Sequence, residues 1–294
     1  MFNYLSVIGV GLIGGSIARK AREQGLAKNI VGVGYQAQAL NLRRAEALGV
    51  VDQISYFGET AEAVLAQSDC VIIAVPVGSV DKIFLELKKT WNPNTVYSDV
   101  GSTKGSVVQS ARDVFGVVPD NFVPVHPIAG AENSGVNAAQ LDLFTGKRVI
   151  ITPTENTSDE ALCQIRFFWK KLGANVSTMG ISHHDAVLAA TSHLPHVLAF
   201  ALVRLLDKKD SHDEIFKYAA GGFKDFTRIA SSDPGMWLDI CMNNKDEIIP
   251  LIRQINDELE EVAQFLIEGD SESVYKTFAT AKSARQRFLD QCDE

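Results

Sequence analysis

Cysteine is sparse in this chain: Cys70, Cys163, Cys241 and Cys292 stand far apart in 294 residues, with no Cys-x-x-Cys pair. That spacing gives neither a disulfide framework nor a zinc signature, so the four are expected to be free thiols engaged in packing. Positive charge is short as well. Lys and Arg total 28 against 36 Asp and Glu, the formal net charge is -8, and the basic residues are scattered. An electrostatic nucleic-acid binder is disfavoured, and a small-molecule ligand is the better expectation. Long apolar runs are missing too. The longest after the N-terminus, Val71 to Val77, is far too short to cross a bilayer, and Met1 to Gly15 has no basic leader or small-residue cleavage site. The expectation is a cytoplasmic protein without a membrane partner. There is no internal repeat, low-complexity tract or long polar linker.

What is present is a globular composition, 46% apolar and 22% charged, in a chain long enough for two cores. Up to about residue 180, β-rich runs at Tyr4–Ile8, Ile30–Val33, Cys70–Val75, Thr95–Asp99, Phe122–Val125, Arg148–Thr152 and Asn175–Met179 alternate with helical periods. This predicts an α/β fold: an N-terminal Rossmann-type, doubly wound, mostly parallel sheet. After Gly180 helices are expected over Ile181–Leu206, Asp213–Ala219, Pro234–Met242 and Lys245–Ile267, giving a C-terminal all-helical domain. The expected domains are thus 1–180 and 181–294. Ile248, Ile252, Ile255, Leu259, Val262 and Leu266 form an apolar stripe that suits burial in its own domain or, by analogy with similar two-domain chains, in a homodimer.

Gly9-Val10-Gly11-Leu12-Ile13-Gly14 follows the first strand and opens a helical stretch. Gly9 permits a tight turn, Gly11 admits a pyrophosphate against the backbone, and Gly14 allows close helix–strand packing, which points to a dinucleotide. The usual acid ending strand two is replaced by Gly34, with Arg43 and Arg44 on the next helix, so NAD and NADP are both permitted. Ligands of such sheets lie beyond the strand carboxyl ends, which places Pro76, Asp99, Gly101 and Ser102 beside the cofactor. Ser102 also suits a helix N-cap.

His126 ends the run Phe122-Val123-Pro124-Val125 at the same sheet edge. Histidine is the usual group for taking a hydroxyl proton near neutral pH, although a buried, backbone-bonded histidine is the structural alternative. Four of the six histidines fall between His183 and His196. His184, Leu188, Ser192 and His196 share a helical face, and Pro195 should kink that helix near Thr191. No His-Glu-x-x-His pattern occurs, so no metal is expected. Further on, Phe223, Phe226 and Ile229 would bury one side of a helix and turn Asp225 and Arg228 to the other, where Asp225 could fix an arginine that binds a carboxylate.

The motifs His126-Pro127-Ile128-Ala129-Gly130-Ala131-Glu132, Ser192-His193-Leu194-Pro195-His196 and Gly222-Phe223-Lys224-Asp225-Phe226-Thr227-Arg228, after the glycine fingerprint, resemble the prephenate/arogenate dehydrogenase family of tyrosine biosynthesis. The resemblance implies NAD(P)-dependent oxidative decarboxylation of prephenate or arogenate and dimerisation through the helical domain. It also implies that His126 hydrogen-bonds the ring hydroxyl with support from Ser102, that Arg228 takes the substrate carboxylate with Asp225 as its partner, that Ser192 and His196 line the pocket, and that Glu132 sits at its mouth. Gly34 and Ala131 depart from the common pattern. Other two-domain β-hydroxyacid dehydrogenases or imine reductases share the fingerprint and helical domain but do not explain both His126 and the Ser192–His196 line. A non-catalytic dinucleotide sensor is not excluded by fold.

Overall fold

The computed structural model describes residues 2–131, 133–210 and 214–292. Two compact units divide the chain, Met1–Lys245 and Asp246–Glu294.

In the first unit β1 (Phe2–Ile8), β2 (Ala27–Gly34), β3 (Gln53–Tyr56), β4 (Cys70–Ile73), β5 (Val96–Asp99) and β6 (Phe122–Val123) form one parallel sheet. Their order is β3-β2-β1-β4-β5-β6, so the winding reverses between β1 and β4 and opens a crevice at their carboxyl ends. The crossovers carry α1 (Leu12–Glu23), α2 (Ala39–Ala47), α3 (Ala61–Leu65), α4 (Val80–Lys88) and α5 (Gly105–Phe115). Strand alternation feeds two cores. Leu5, Val7, Cys70 and Ile72 pack with Ile17 and Ala21 of α1, while Ile8, Val71 and Ile73 pack with Ile83 and Phe84 of α4 and Val107 of α5. Both faces are covered, which is why these strands read as continuous apolar runs.

Two features differ from the sequence expectation. β3 was not anticipated, because an edge strand of four residues with polar Gln53 and Ser55 carries little apolar signal. The expected strand Phe122–Val125 is broken at Pro124, which has no N–H to extend the parallel ladder. There the chain changes sheets: β7 (Val125–Pro127) pairs antiparallel with β8 (Arg148–Ile151), which pairs parallel with β9 (Asn175–Thr178) after α6 (Asp159–Lys171).

Beyond Gly180, α7 (Ile181–Leu188), a π-helical turn over Ala189–His193 and α8 (Leu194–Lys209) form one continuous helix. By length and composition it is apolar enough to cross a membrane, with a mean hydropathy of 1.7 and 22% of its apolar window buried. Interspersed polar residues keep it from reading as an uninterrupted apolar run in the sequence. Expected helix 213–219 does not form where described. Asp213 lies outside the described residues, and the Asp210 carboxylate instead accepts the backbone N–H groups of Glu214, Ile215 and Phe216, holding a turn. The unit ends with α9 (Gly221–Thr227) and α10 (Pro234–Asn243), the latter capped by Asp233, whose Oδ1 accepts from the Met236 N–H.

The second unit holds α11 (Lys245–Glu268) and α12 (Ser271–Cys292), joined at Gly269 with φ +69°. Of the apolar stripe, Ile248 is buried, whereas Leu259 and Leu266 are 59% and 66% exposed.

Candidate active site

The glycine fingerprint builds a dinucleotide-sized cleft. Gly9 has φ +90° and donates its N–H to Val33 O, and an added Cβ would lie 2.5 Å from Ala74 O. At Gly14 a Cβ would meet Gly9 O at 2.1 Å, so α1 packs against the β1 turn only because Gly14 has no side chain. Gly11, which precedes α1, has nothing within 4 Å of its Cβ position. Open space at the start of a helix whose first N–H groups lack a side-chain cap fits a pyrophosphate. Two cavities of about 550 and 340 Å³ meet here and share Gly11, Val75 and Pro76. Leu12, Ile13, Gly101 and Ser102 line the smaller one, and Arg44 and Gln38 the larger. Among the described residues, no Asp or Glu lines the larger cavity. Gly34 lies behind Gln38, whose Oε1 accepts the Tyr35 N–H and occupies the space a side chain at Gly34 would need.

Asp99 departs from its expected place beside the cofactor. Its carboxylate is fully buried and accepts from Lys104 Nζ at 2.5 Å, Gly101 N–H at 2.7 Å and Val125 N–H at 3.2 Å. Lys104, equally buried, also donates to Val125 O at 2.7 Å. Burial lowers the lysine's pKa, and the adjoining Asp99 carboxylate opposes that. This ion pair ties the end of β5 to the strand that carries His126.

His126 is 9% exposed on β7. Its Nδ1 lies 2.9 Å from Nε2 of His184, whose Nδ1 lies 2.7 Å from Asp185 Oδ1. Asp185 in turn accepts the backbone N–H groups of Lys104 and Gly105 at 2.8 and 2.7 Å. Burial raises the Asp185 pKa, but the bonds from His184, Lys104 and Gly105 outweigh it and leave the carboxyl below its ordinary value. Burial, aided by His184, Lys104 and His193, holds the His126 pKa well below the ordinary imidazole value, so the ring is neutral at neutral pH. Among the described residues no hydrogen bond joins Ser102 to His126; His184 takes the place that the resemblance gave to the serine.

The π-turn decides which residues of the histidine-rich helix face inward. Pro195 cannot donate to Thr191 O, and the ladder shifts so that the Leu194 N–H reaches Ala189 O. The extra residue breaks the expected spacing-by-four line: His184 and His193 are buried, while Ser192 is only half-buried. His193 Nδ1 meets Asn244 Nδ2 at 3.0 Å, and burial takes its pKa down to about 4. His196 stacks on Trp237 at 3.6 Å and donates Nδ1–H to Ser192 O, leaving Nε2 unprotonated in the neutral ring. Burial lowers the His196 pKa, and the Arg228 guanidinium lowers it further, so these two side chains share one electrostatic neighbourhood.

Asp225 is exposed and holds no ion pair among the described residues. The expected Asp225–Arg228 alignment assumed a continuous α-helix, whereas α9 stops at Thr227 and a 3₁₀ turn runs over Arg228–Ser231. Phe226 is 51% exposed rather than buried. Glu132 lies outside the described residues. Sequence reading overlooked Lys104, Asp185, Trp237 and Asn244 as parts of this constellation. A charged Asp185 within an apolar helix was the one available signal.

Comparison with known proteins matches both halves of the chain to one family. Residues 17–178 match the family model of the prephenate dehydrogenase nucleotide-binding domain, and residues 181–280 that of the prephenate dehydrogenase dimerization domain. The cyclohexadienyl dehydrogenase of Zymomonas mobilis is 31% identical over 97% of this chain and 96% of its own length. The prephenate dehydrogenase of Bacillus subtilis is 35% identical over 97% of this chain and 76% of its own. The crystal structure of Aquifex aeolicus prephenate dehydrogenase with hydroxyphenyl propionate and NAD+ superposes with a TM-score of 0.90 at 32% identity, covering 98% of this chain and 99% of that one. With both halves of the chain matched in order, the protein belongs to the prephenate dehydrogenase family.

Proposed function

We propose that this enzyme oxidises the ring carbinol of prephenate, or of arogenate, with loss of carbon dioxide, giving 4-hydroxyphenylpyruvate or tyrosine. The observation that carries the reading is His126, a neutral buried imidazole whose Nδ1 is engaged by His184, so that Nε2 is the nitrogen able to take a proton. When bound, the nicotinamide supplies a hydride acceptor for the carbinol carbon. His126 takes the hydroxyl proton as the C–O bond becomes a carbonyl. Carbon dioxide then leaves with the ring becoming aromatic, and the phenolate recovers the proton. Arg228 anchors the side-chain carboxylate, with His196 beside it and Ser192 and Ser102 offering hydroxyls. Gly9, Gly11, Gly14, Pro76 and Gly101 shape the cofactor cleft.

The same reading assigns residues 1–180 to dinucleotide binding and 181–294 to the substrate and to a cytoplasmic homodimer. Supporting the dimer, apolar Leu259, Leu266, Tyr275 and Phe278 are more than half exposed in the single chain. Supporting acceptance of NADP alongside NAD, Arg44 lines the larger cavity, Gly34 offers no carboxylate, and no acid among the described lining residues would repel a 2'-phosphate. Steady-state rates at 340 nm with prephenate and arogenate, each crossed with NAD and NADP, test the assignment. Reduction with neither substrate would overturn it.

A further inference from the structure

We propose that His184, held by Asp185, is a positioning residue that fixes which nitrogen of His126 carries the proton. The inference rests on the reading of His126 as proton acceptor, but the hydrogen-bond direction it requires can be derived without that reading. The Asp185 carboxylate is itself immobilised, because Oδ1 accepts from the Lys104 N–H and Oδ2 from the Gly105 N–H. The backbone carbonyl of Asp185 accepts from Asn244 Nδ2 at 2.9 Å, which pins this part of α7 from α10's far end. A carboxylate only accepts, so the 2.7 Å contact with His184 Nδ1 requires a proton on that nitrogen. In the neutral ring Nε2 of His184 is then a lone pair. The 2.9 Å contact to His126 is satisfied only if His126 donates from Nδ1. His126 Nε2 is left as its unprotonated nitrogen.

The opposite direction would set a lone pair of His184 Nδ1 against Asp185 Oδ1, two acceptors face to face in a buried contact. A doubly protonated His184 would also reverse the second bond and place the His126 proton on Nε2, disabling the base. Among the described residues, the other charged or titratable groups around His126 are Lys104 and Asp99 from the β5 end and His193 from the π-turn. Lys104 and Asp99 bond each other, and His193 bonds Asn244, so none of them competes for His126 Nδ1. The arrangement also ends differently from a simple structural cluster. Both ring nitrogens of His184 are satisfied, and one of its partners is the proposed base.

The test joins ring nitrogen NMR with kinetics. Two-bond 1H–15N correlation spectra of histidine-labelled wild-type enzyme should show His126 in the Nδ1–H form. In His184→Met, which removes the acceptor, kcat should fall about 10²-fold, the lower end of a general base's contribution, with KM unchanged. Its acid limb in the pH profile should shift, because His126 has lost the ring that engages its Nδ1. His184→Gln offers an amide oxygen near the same place and should retain kcat within about fivefold, roughly the worth of one hydrogen bond. An Nε2–H signal from wild-type His126 overturns the proposal without needing any variant to fold, as does a His184→Met enzyme with unchanged kcat and acid limb. Wild-type enzyme showing the Nδ1–H form but no substrate-dependent turnover would sink the functional reading while leaving this hydrogen-bond direction intact.

Discussion

Replacing Lys104 by methionine removes the cation that holds the end of β5 to the strand carrying His126. Lys104 and Asp99 are both fully buried, and the ammonium lies 2.5 Å from Asp99 Oδ2 and 2.7 Å from Val125 O. Methionine keeps the volume of the stem but none of the charge. Asp99 would retain its two backbone donors, Gly101 N–H and Val125 N–H, yet lose its only counter-charge among the described residues. Breaking a buried pair from one side costs about 3–5 kcal/mol, because the surviving charge stays desolvated. With a urea m-value of about 3 kcal/mol/M, the unfolding midpoint should drop by roughly 1 M or more. Adding Asp99→Asn should recover part of that loss, since the amide is neutral and its oxygen still accepts one backbone N–H. Equilibrium unfolding followed by tryptophan fluorescence measures both variants. A Lys104→Met protein within about 1 kcal/mol of wild type would refute the argument, and a double variant no more stable than the single would show that the unpaired charge is not the cause.

Gly14→Ala drives a Cβ to 2.1 Å from Gly9 O, so soluble yield and Tm should fall sharply, whereas Gly11→Ala meets open space and should leave Tm unchanged while weakening NAD+ binding at least about tenfold by calorimetry. For Arg228→Ala the expected change is a KM increase of about 10- to 100-fold with kcat little altered; an unchanged KM contradicts the carboxylate anchor. His193 has a folded-state pKa of about 4 against an ordinary 6.5, so the unfolded chain binds the proton more readily. Its contribution to stability is therefore complete above pH 6.5 and lost as pH falls towards 4, about 3 kcal/mol at most. Urea midpoints measured across that window should decline in wild type and decline less in His193→Asn.

Legibility tracked how local the physics was. The fingerprint and the α1 start were readable because Gly9 and Gly14 answer to contacts a few residues away and to one neighbouring strand. Strand identity in β1 and β4 followed from mostly apolar runs buried on both faces. The helix at 213–219 failed because a single side chain, Asp210, offered the backbone other partners. Asp99 looked like a cofactor contact because it stands at a strand's carboxyl end, but Lys104, five residues on, folds back and claims it.

The sequence alone therefore determined the parallel sheet followed by helices, the dinucleotide fingerprint and the family motifs, since each is carried by spacing within a short stretch. It could not determine who meets His126. That depends on a sheet change at Pro124, which sets a ring from β7 against a ring on α7 58 residues later. One extra residue in a helical turn rotates everything after it by about 100°, so spacing rules across the π-turn pointed to Ser192 where the fold buries His193. Proton direction in the Asp185–His184–His126 chain is likewise a property of three side chains brought together by tertiary contact, because only a fixed carboxylate at one end orders the bonds to the other.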